Sequence, residues 1–309
     1  MRLLLTAALC ALPALAAAEA GLTGGVTLSR PLGARAEAMG GAFSAVEGGL
    51  DSLTYNPAGL ARLSRPELRF DYTHGIVDDS FGFLGYARRL SAFTLAGGAA
   101  YYDAGTIDLN LSDGTKGRRK AEQDWLGLLS AAVALPARLS AAATLKYYHF
   151  SLAQAASASG LAFDAGLRWA TPLPGLSAGA ALQNLGSAVK FEQQGDPLPR
   201  TERAGLAYSI GRRSPDPEQD ADVGFDRFLL TGDVVSVLDQ PLAAASGLEM
   251  RVPLGGSDYA ALRFGYLFNS SDSFSMGIGI REGRYVFDYA LGLARALGSA
   301  HHFSIGLRL

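Results

Sequence analysis

The chain has one cysteine, two tryptophans and four histidines in 309 residues. The cysteine, Cys10, lies in the first twenty residues, inside an apolar leader, so the chain beyond it has no thiol. Disulfides, zinc–thiolate centres and cysteine nucleophiles are excluded there. Beyond residue 20 no apolar run approaches the roughly 18 residues that a membrane-spanning helix needs. The formal net charge of -2 leaves no basic surplus of the kind that binds nucleic acid.

Catalytic constellations are missing as well. His74, His149, His301 and His302 show no pairing with a serine and an acid. The adjacent His301 and His302 point to opposite faces of a strand, so they cannot chelate one metal together. "GIGIREG" has the wrong spacing for a phosphate loop and lies on a strand. Asp216, Glu218, Asp220 and Asp222 lack the glycine and closing glutamate of a calcium loop. The expectation is a non-enzymatic protein with no catalytic residue, no metal and no cofactor.

What is present begins with export. Arg2 precedes an apolar run from Leu3 to Ala18, followed by small residues that permit cleavage after Ala18 or Ala20, so residues 1–20 read as a signal peptide. The remainder alternates with a period of two. Leu68, Phe70 and Tyr72 oppose Arg69 and Asp71; Leu248, Met250 and Val252 oppose Glu249 and Arg251; Leu262, Phe264, Tyr266 and Phe268 oppose Arg263 and Gly265. A soluble sandwich would also alternate, but its polar face accepts long Lys and Glu side chains. Here the second face mixes Gly, Ala and Ser with isolated charges, as a narrow polar lumen requires. Aromatics near strand ends, Tyr72, Trp169, Tyr208, Tyr285 and Phe303, suit an interfacial girdle.

The fold class read from this pattern is an all-β transmembrane antiparallel barrel in the outer membrane of a Gram-negative-type bacterium, with lipid as its surroundings. Strands are expected at 66–76, 80–90, 92–103, 121–134, 138–151, 160–171, 175–185, 201–211, 226–237, 243–253, 257–268, 273–282, 284–294 and 301–309, which is fourteen. An even count puts both ends on the periplasmic side, together with the tight turns at 88–91, 171–175 and 281–284. The stretches 104–120 and 186–200 become outer loops. The long acidic connection 212–224 falls on the tight-turn side, which implies either a miscounted strand or a periplasmic arm.

Residues 21–65 precede the barrel (66–309) and are neither strand nor linker. Asn56 is a good N-cap, Pro57 suits the first helical position, and Ala58 and Gly59 continue the turn. A second short helix is expected from Arg35 to Met39, ended by Gly40 and Gly41 through positive φ. The segment has the size to fold into the lumen as a hatch, a periplasmic cap being the other reading. The inward charges expected to anchor it or to pair with one another are Arg69, Asp71, Lys146, Asp164, Arg168, Arg203, Asp233, Glu249, Arg251, Arg263, Asp288 and Arg308.

"LGARAEAMGGAFSAVEGGLDSLTYNPAGLA" at 32–61, with "YYDAGTIDL", "SGLAFDAGLRW" and "PGLSAGAALQNLGSAVKFEQQGDPLPRTERAGLAYSI" following in order, resembles the PorV/PorQ family, a branch of the FadL-like outer-membrane barrels. The chain departs from that family in ending on Leu309 rather than an aromatic. The resemblance implies a hatch carrying the Asn-Pro-Ala element and a role in protein secretion, with exported proteins or secretion-system components as partners. FadL-like relatives imply instead the uptake of long-chain fatty acids or other hydrophobic small molecules, and a plugged structural barrel is the third reading. The stretch at 106–122 is polar and basic, which favours a protein-facing role over hydrophobe capture.

Overall fold

The computed structural model describes residues 23–76, 79–110, 114, 116–193, 195–212, 225–255, 258–268, 273–294 and 298–309. The leader and the acidic 213–224 stretch therefore lie outside the described residues. Among those described, the strands are β1 (Glu67–His74), β2 (Ser80–Arg89), β3 (Phe93–Asp103), β4 (Thr106–Asn110), β5 (Lys116–Lys120) and β6 (Glu122–Ala134). There follow β7 (Leu139–Leu152), β8 (Ala156–Ala170), β9 (Leu176–Gly186), β10 (Val189–Lys190), β11 (Gly195–Asp196) and β12 (Thr201–Arg212). The last six are β13 (Phe225–Val237), β14 (Ala243–Gly255), β15 (Asp258–Phe268), β16 (Ser273–Glu282), β17 (Tyr285–Ala294) and β18 (Gly298–Arg308).

Fourteen of these close into one antiparallel barrel, each beside its chain neighbour, with β1 sealing against β18 from Glu67↔Arg308 to His74↔His301. The other four correct the sequence reading. Two stretches expected as plain outer loops carry small ladders, β4–β5 and β10–β11. The first continues the rise of β3 and β6, since Ala104 N–H donates to Glu122 and Ala121 N–H to Gly105.

Closure leaves no free edge, so every strand can face lipid with its backbone satisfied. The alternation places Leu68, Phe70 and Tyr72 outside and Arg69 and Asp71 inside, and the same division recurs at Phe163, Leu167 and Trp169 against Asp164 and Arg168. The exposed apolar side chains run around the whole barrel, a surface far larger than a water-soluble monomer carries. The β12–β13 connection springs from the same end as the tight turns, because Ser209 of β12 donates its N–H to Gly175 in the 171–175 turn. The strand count is sound, and β12 ends beside the tight turns.

The segment before β1 lies within the barrel. Short helical turns at Val26–Ser29, Ala34–Glu37, Leu50–Thr54 and Pro57–Arg62 bury Ala36, Ala38, Met39, Phe43, Ala45, Leu53 and Leu60 almost completely. Gly40 and Gly41, at φ 65° and 75°, turn the chain after the second of them. The wall receives this mass through its glycines. A Cβ at Gly265 would collide with the backbone of Met39 and Gly40, one at Gly179 with the Ser44 carbonyl, and one at Gly166 with Asn56 Oδ1.

Candidate functional site

The interior has two unlike halves, and the hatch is held between them. On the charged half, Glu249 of β14 accepts a two-pronged pair from hatch residue Arg35, at 2.8 and 3.0 Å. Arg251 reaches the same carboxylate at 2.9 Å and Arg263 at 2.7 Å, and Arg263 passes the chain on to Asp288 at 2.6 Å. Three guanidinium groups thus share one buried carboxylate, whose geometry suits planar forks better than ammonium groups.

Elsewhere the wall charges meet the hatch backbone or its acids. Asp233 accepts from the N–H groups of Phe43 and Ser44 at 3.0 and 2.9 Å and from the Ser44 hydroxyl at 2.6 Å. Arg69 bridges Asp71 and hatch residue Asp51, both at 2.7 Å. Arg168 donates to the Ala45 carbonyl at 2.8 Å and pairs with Glu47 at 2.9 Å. Arg203 donates to Gln183 at 3.1 Å and lies over the Tyr55 ring. Burial, with the Glu37 carboxylate beside it, holds the Tyr55 phenol well above its usual range, so it stays protonated and donates to Glu37 at 2.6 Å.

Asp164, like Asp288, takes its partners from the wall itself. Lys146 approaches it at 2.8 Å, and the Asn184 N–H donates to it at 2.9 Å across a register shift between β8 and β9. Arg308 lines the space at the tight-turn end. The sequence reading named wall charges but not their hatch partners Arg35, Glu47 and Asp51, nor Gln183 and Asn184.

Asn56 caps the Pro57–Arg62 turn as its position implies, accepting from Ala58 N–H at 3.1 Å. Its amide also donates to Ser44 at 2.7 Å and across to the β8 carbonyl of Leu167 at 2.9 Å. Pro57, Ala58 and Gly59 are buried behind it. Asn56→Ala removes the cap and strands two buried carbonyls, which is expected to destabilise the folded barrel by about 1–3 kcal/mol. The check is the temperature at which the folded, heat-modifiable gel band disappears.

The opposite half of the interior is largely apolar, although Asp124 and Ser130 of β6 and Thr144 and Lys146 of β7 also point into it. Phe81 and Phe83 of β2, Ala100 of β3, Leu126 and Leu128 of β6 and Phe150 of β7 face inward against Leu28, Leu32, Leu53 and Leu60 of the hatch. The strip between them is nearly closed, a void of about 10 Å³ among Leu28, Leu32, Phe81, Ala100, Leu126 and Leu128, with Thr27, Arg30, Thr54 and Lys146 also on its lining. Phe81 and Arg30 also line a second cavity, of about 240 Å³, which opens at the outer-loop end beside Pro31, Ile76 and His302. Arg30 separates the two spaces, pairing with Asp79 at 2.8 Å and lying 3.8 Å from the Tyr102 ring centre. Thr27, one turn earlier, donates its hydroxyl to buried Asp124.

The sequence matches no protein-family model and no curated protein. Solved structures do match over nearly the whole chain. The toluene transporter TbuX of Ralstonia pickettii aligns at a TM-score of 0.62 and 13% identity, covering 91% of this chain and 99% of that one. The toluene transporter TodX of Pseudomonas putida gives 0.63 and 11%, with 91% and 99% covered, and a FadL homologue of Pseudomonas aeruginosa gives 0.53 and 12%, with 90% and 98%. The secretion-associated PorV/PorQ resemblance has no counterpart among them. At these identities the likeness is one of architecture, and the chain has the fold of the FadL-type outer-membrane barrels.

Proposed function

We propose that the protein is a channel for hydrophobic compounds across the outer membrane, with the hatch as its internal gate. The carrying observation is the apolar inner wall of β2, β3, β6 and β7, continuous through Phe81 with the cavity at the outer-loop end. A lumen serving only water or ions would line this wall with polar groups, since desolvation of apolar side chains gives no advantage to a polar passenger. The toluene transporters that share the fold support the same reading. A hydrophobe entering beside Ile76 would move past Phe81 and displace Leu28 and Leu32, which the Arg30–Asp79 pair and the Thr27–Asp124 bond hold in place.

Protein secretion, the role implied by the PorV/PorQ resemblance, takes second place. It rests on that resemblance and on the polar 106–122 stretch, and it offers no use for an apolar strip buried within the barrel. The binding test uses purified protein in detergent and an apolar fluorescent probe. Leu126→Asn with Leu128→Asn is expected to weaken probe binding at least tenfold while the barrel stays folded. Unchanged affinity in that variant would remove the inner wall from the account.

A further inference from the structure

The cavity of about 240 Å³ at the outer-loop end is more polar than passage of a bare hydrocarbon requires. Phe81, Ile76, Pro31 and Ala300 give it an apolar lining, but Arg30, Asp79, Thr73 and His302 reach it as well. Its size is below the roughly 300–1,000 Å³ of pockets that take drug-sized ligands. With only about 10 Å³ open beyond Phe81, it suits a compact ring better than a long chain.

Two of the polar groups have unused bonding capacity. Asp79, just before β2, is almost fully buried and accepts from Arg30 Nη1 through Oδ2, at 2.8 Å. Its Oδ1 lies over Gly75, where an added Cβ would collide with it, and takes no hydrogen bond among the described residues. Nε and Nη2 of Arg30 likewise have no acceptor among them, the guanidinium carbon lying 3.8 Å from the Tyr102 ring centre. Thr73 and His302 bond each other instead, with 3.0 Å between Oγ1 and Nδ1. A buried carboxylate oxygen gains most from an O–H donor, because such charge-assisted bonds are about twice as strong as neutral ones. A ligand carboxylate would be repelled by Asp79, and a ligand cation by Arg30. A neutral hydroxyl suits both, donating to Asp79 Oδ1 and accepting from the Arg30 fork.

We propose that this cavity selects compact neutral hydrophobes that carry a hydroxyl group, phenols above all, with the ring against Phe81 and Ile76 and the hydroxyl between Asp79 and Arg30. The inference rests on the hydrophobe-channel reading and narrows its substrate class. Bare hydrocarbons occupy the same space by apolar burial alone. The hydroxyl also competes with the Arg30–Asp79 pair, so its binding loosens the contact that holds Leu28 and Leu32 in place.

The test is equilibrium dialysis of the full barrel in a neutral detergent, corrected for uptake by detergent alone, against p-cresol, its methyl ether and toluene. The ether keeps the oxygen but loses the donor, and it is more apolar than the phenol, so burial alone would place it first. The expected result is p-cresol binding about tenfold tighter than the ether at equal free concentration, a preference that Asp79→Ala abolishes. The ligand series in the parent protein decides the matter if that variant fails to fold. Ether and toluene bound as tightly as p-cresol, or a preference that survives in Asp79→Ala, overturns the proposal and leaves the channel reading standing. Binding of none of the three overturns both.

Discussion

Gly265→Val is expected to convert a plugged barrel into an ion-conducting one. Gly265 faces inward on β15, and the atoms nearest to a new side chain are the backbone of Met39 and Gly40, not the tip of a flexible residue. Gly40 itself sits at φ 65° against the backbone of Tyr266, so the hatch cannot retreat along its own chain there. Overpacking a tight site ordinarily costs about 1–3 kcal/mol, and here the strain falls on the seating of the hatch. The ladders from Gly265 to Gly247 and Ser275 use backbone groups that valine retains, so the barrel should persist. Planar-bilayer recordings should show conducting channels for this variant and little conductance for the parent. Gly82→Val is the control, since nothing lies within 4 Å of a Cβ at that position. Parent-like conductance in Gly265→Val would mean that the hatch is not seated on β15.

Glu249→Ala is expected to give the largest loss of stability of any single wall substitution. It leaves Arg35, Arg251 and Arg263 facing one another without the carboxylate that all three share, and removing one partner from a buried ionic group costs about 3–5 kcal/mol. Urea unfolding monitored by gel mobility reads the change. Replacing ionic groups together is a different matter, because well-packed apolar substitutes of similar volume avoid the uncompensated charge. Only replacement of the whole set, Arg35, Arg251, Arg263 and Asp288 together with Glu249, should therefore recover part of the loss, because removing Arg263 alone leaves Asp288 unpaired. If Glu249→Ala unfolds like the parent, the cluster does not hold the hatch.

The barrel was legible in the sequence wherever one face of a strand is polar. In the last third of the chain, Arg263, Ser275, Asp288 and Ser304 mark the inner face so clearly that strand number and orientation follow from period alone. The N-terminal third hides its inner face. In "FGFLGY" of β2 and "WLGLLS" of β6, Phe81, Phe83, Leu126 and Leu128 point inward while Leu84, Tyr86, Trp125 and Leu129 point to lipid. Both faces are apolar there, so alternation vanishes and with it the evidence for a hydrophobic lumen. With that evidence hidden, the PorV/PorQ resemblance and the polar 106–122 stretch point towards protein partners. A comparison between charged and uncharged strands would have exposed the asymmetry. The hatch contacts were beyond reach for another reason: Arg35 and Glu249 are 214 residues apart, and no local pattern links them. Asn56 was found because an N-cap followed by proline is a purely local signal.

The most direct measurement is uptake of a labelled monoaromatic hydrocarbon by Gram-negative cells stripped of their own hydrophobe channels, with an intact lipopolysaccharide layer, expressing the parent or the Leu126→Asn, Leu128→Asn variant at equal surface amounts. The account predicts rapid uptake with the parent and a rate near the empty-cell background with the variant. Uptake with the parent no faster than in empty cells, or parent and variant alike, would contradict passage of hydrophobes along the apolar inner wall.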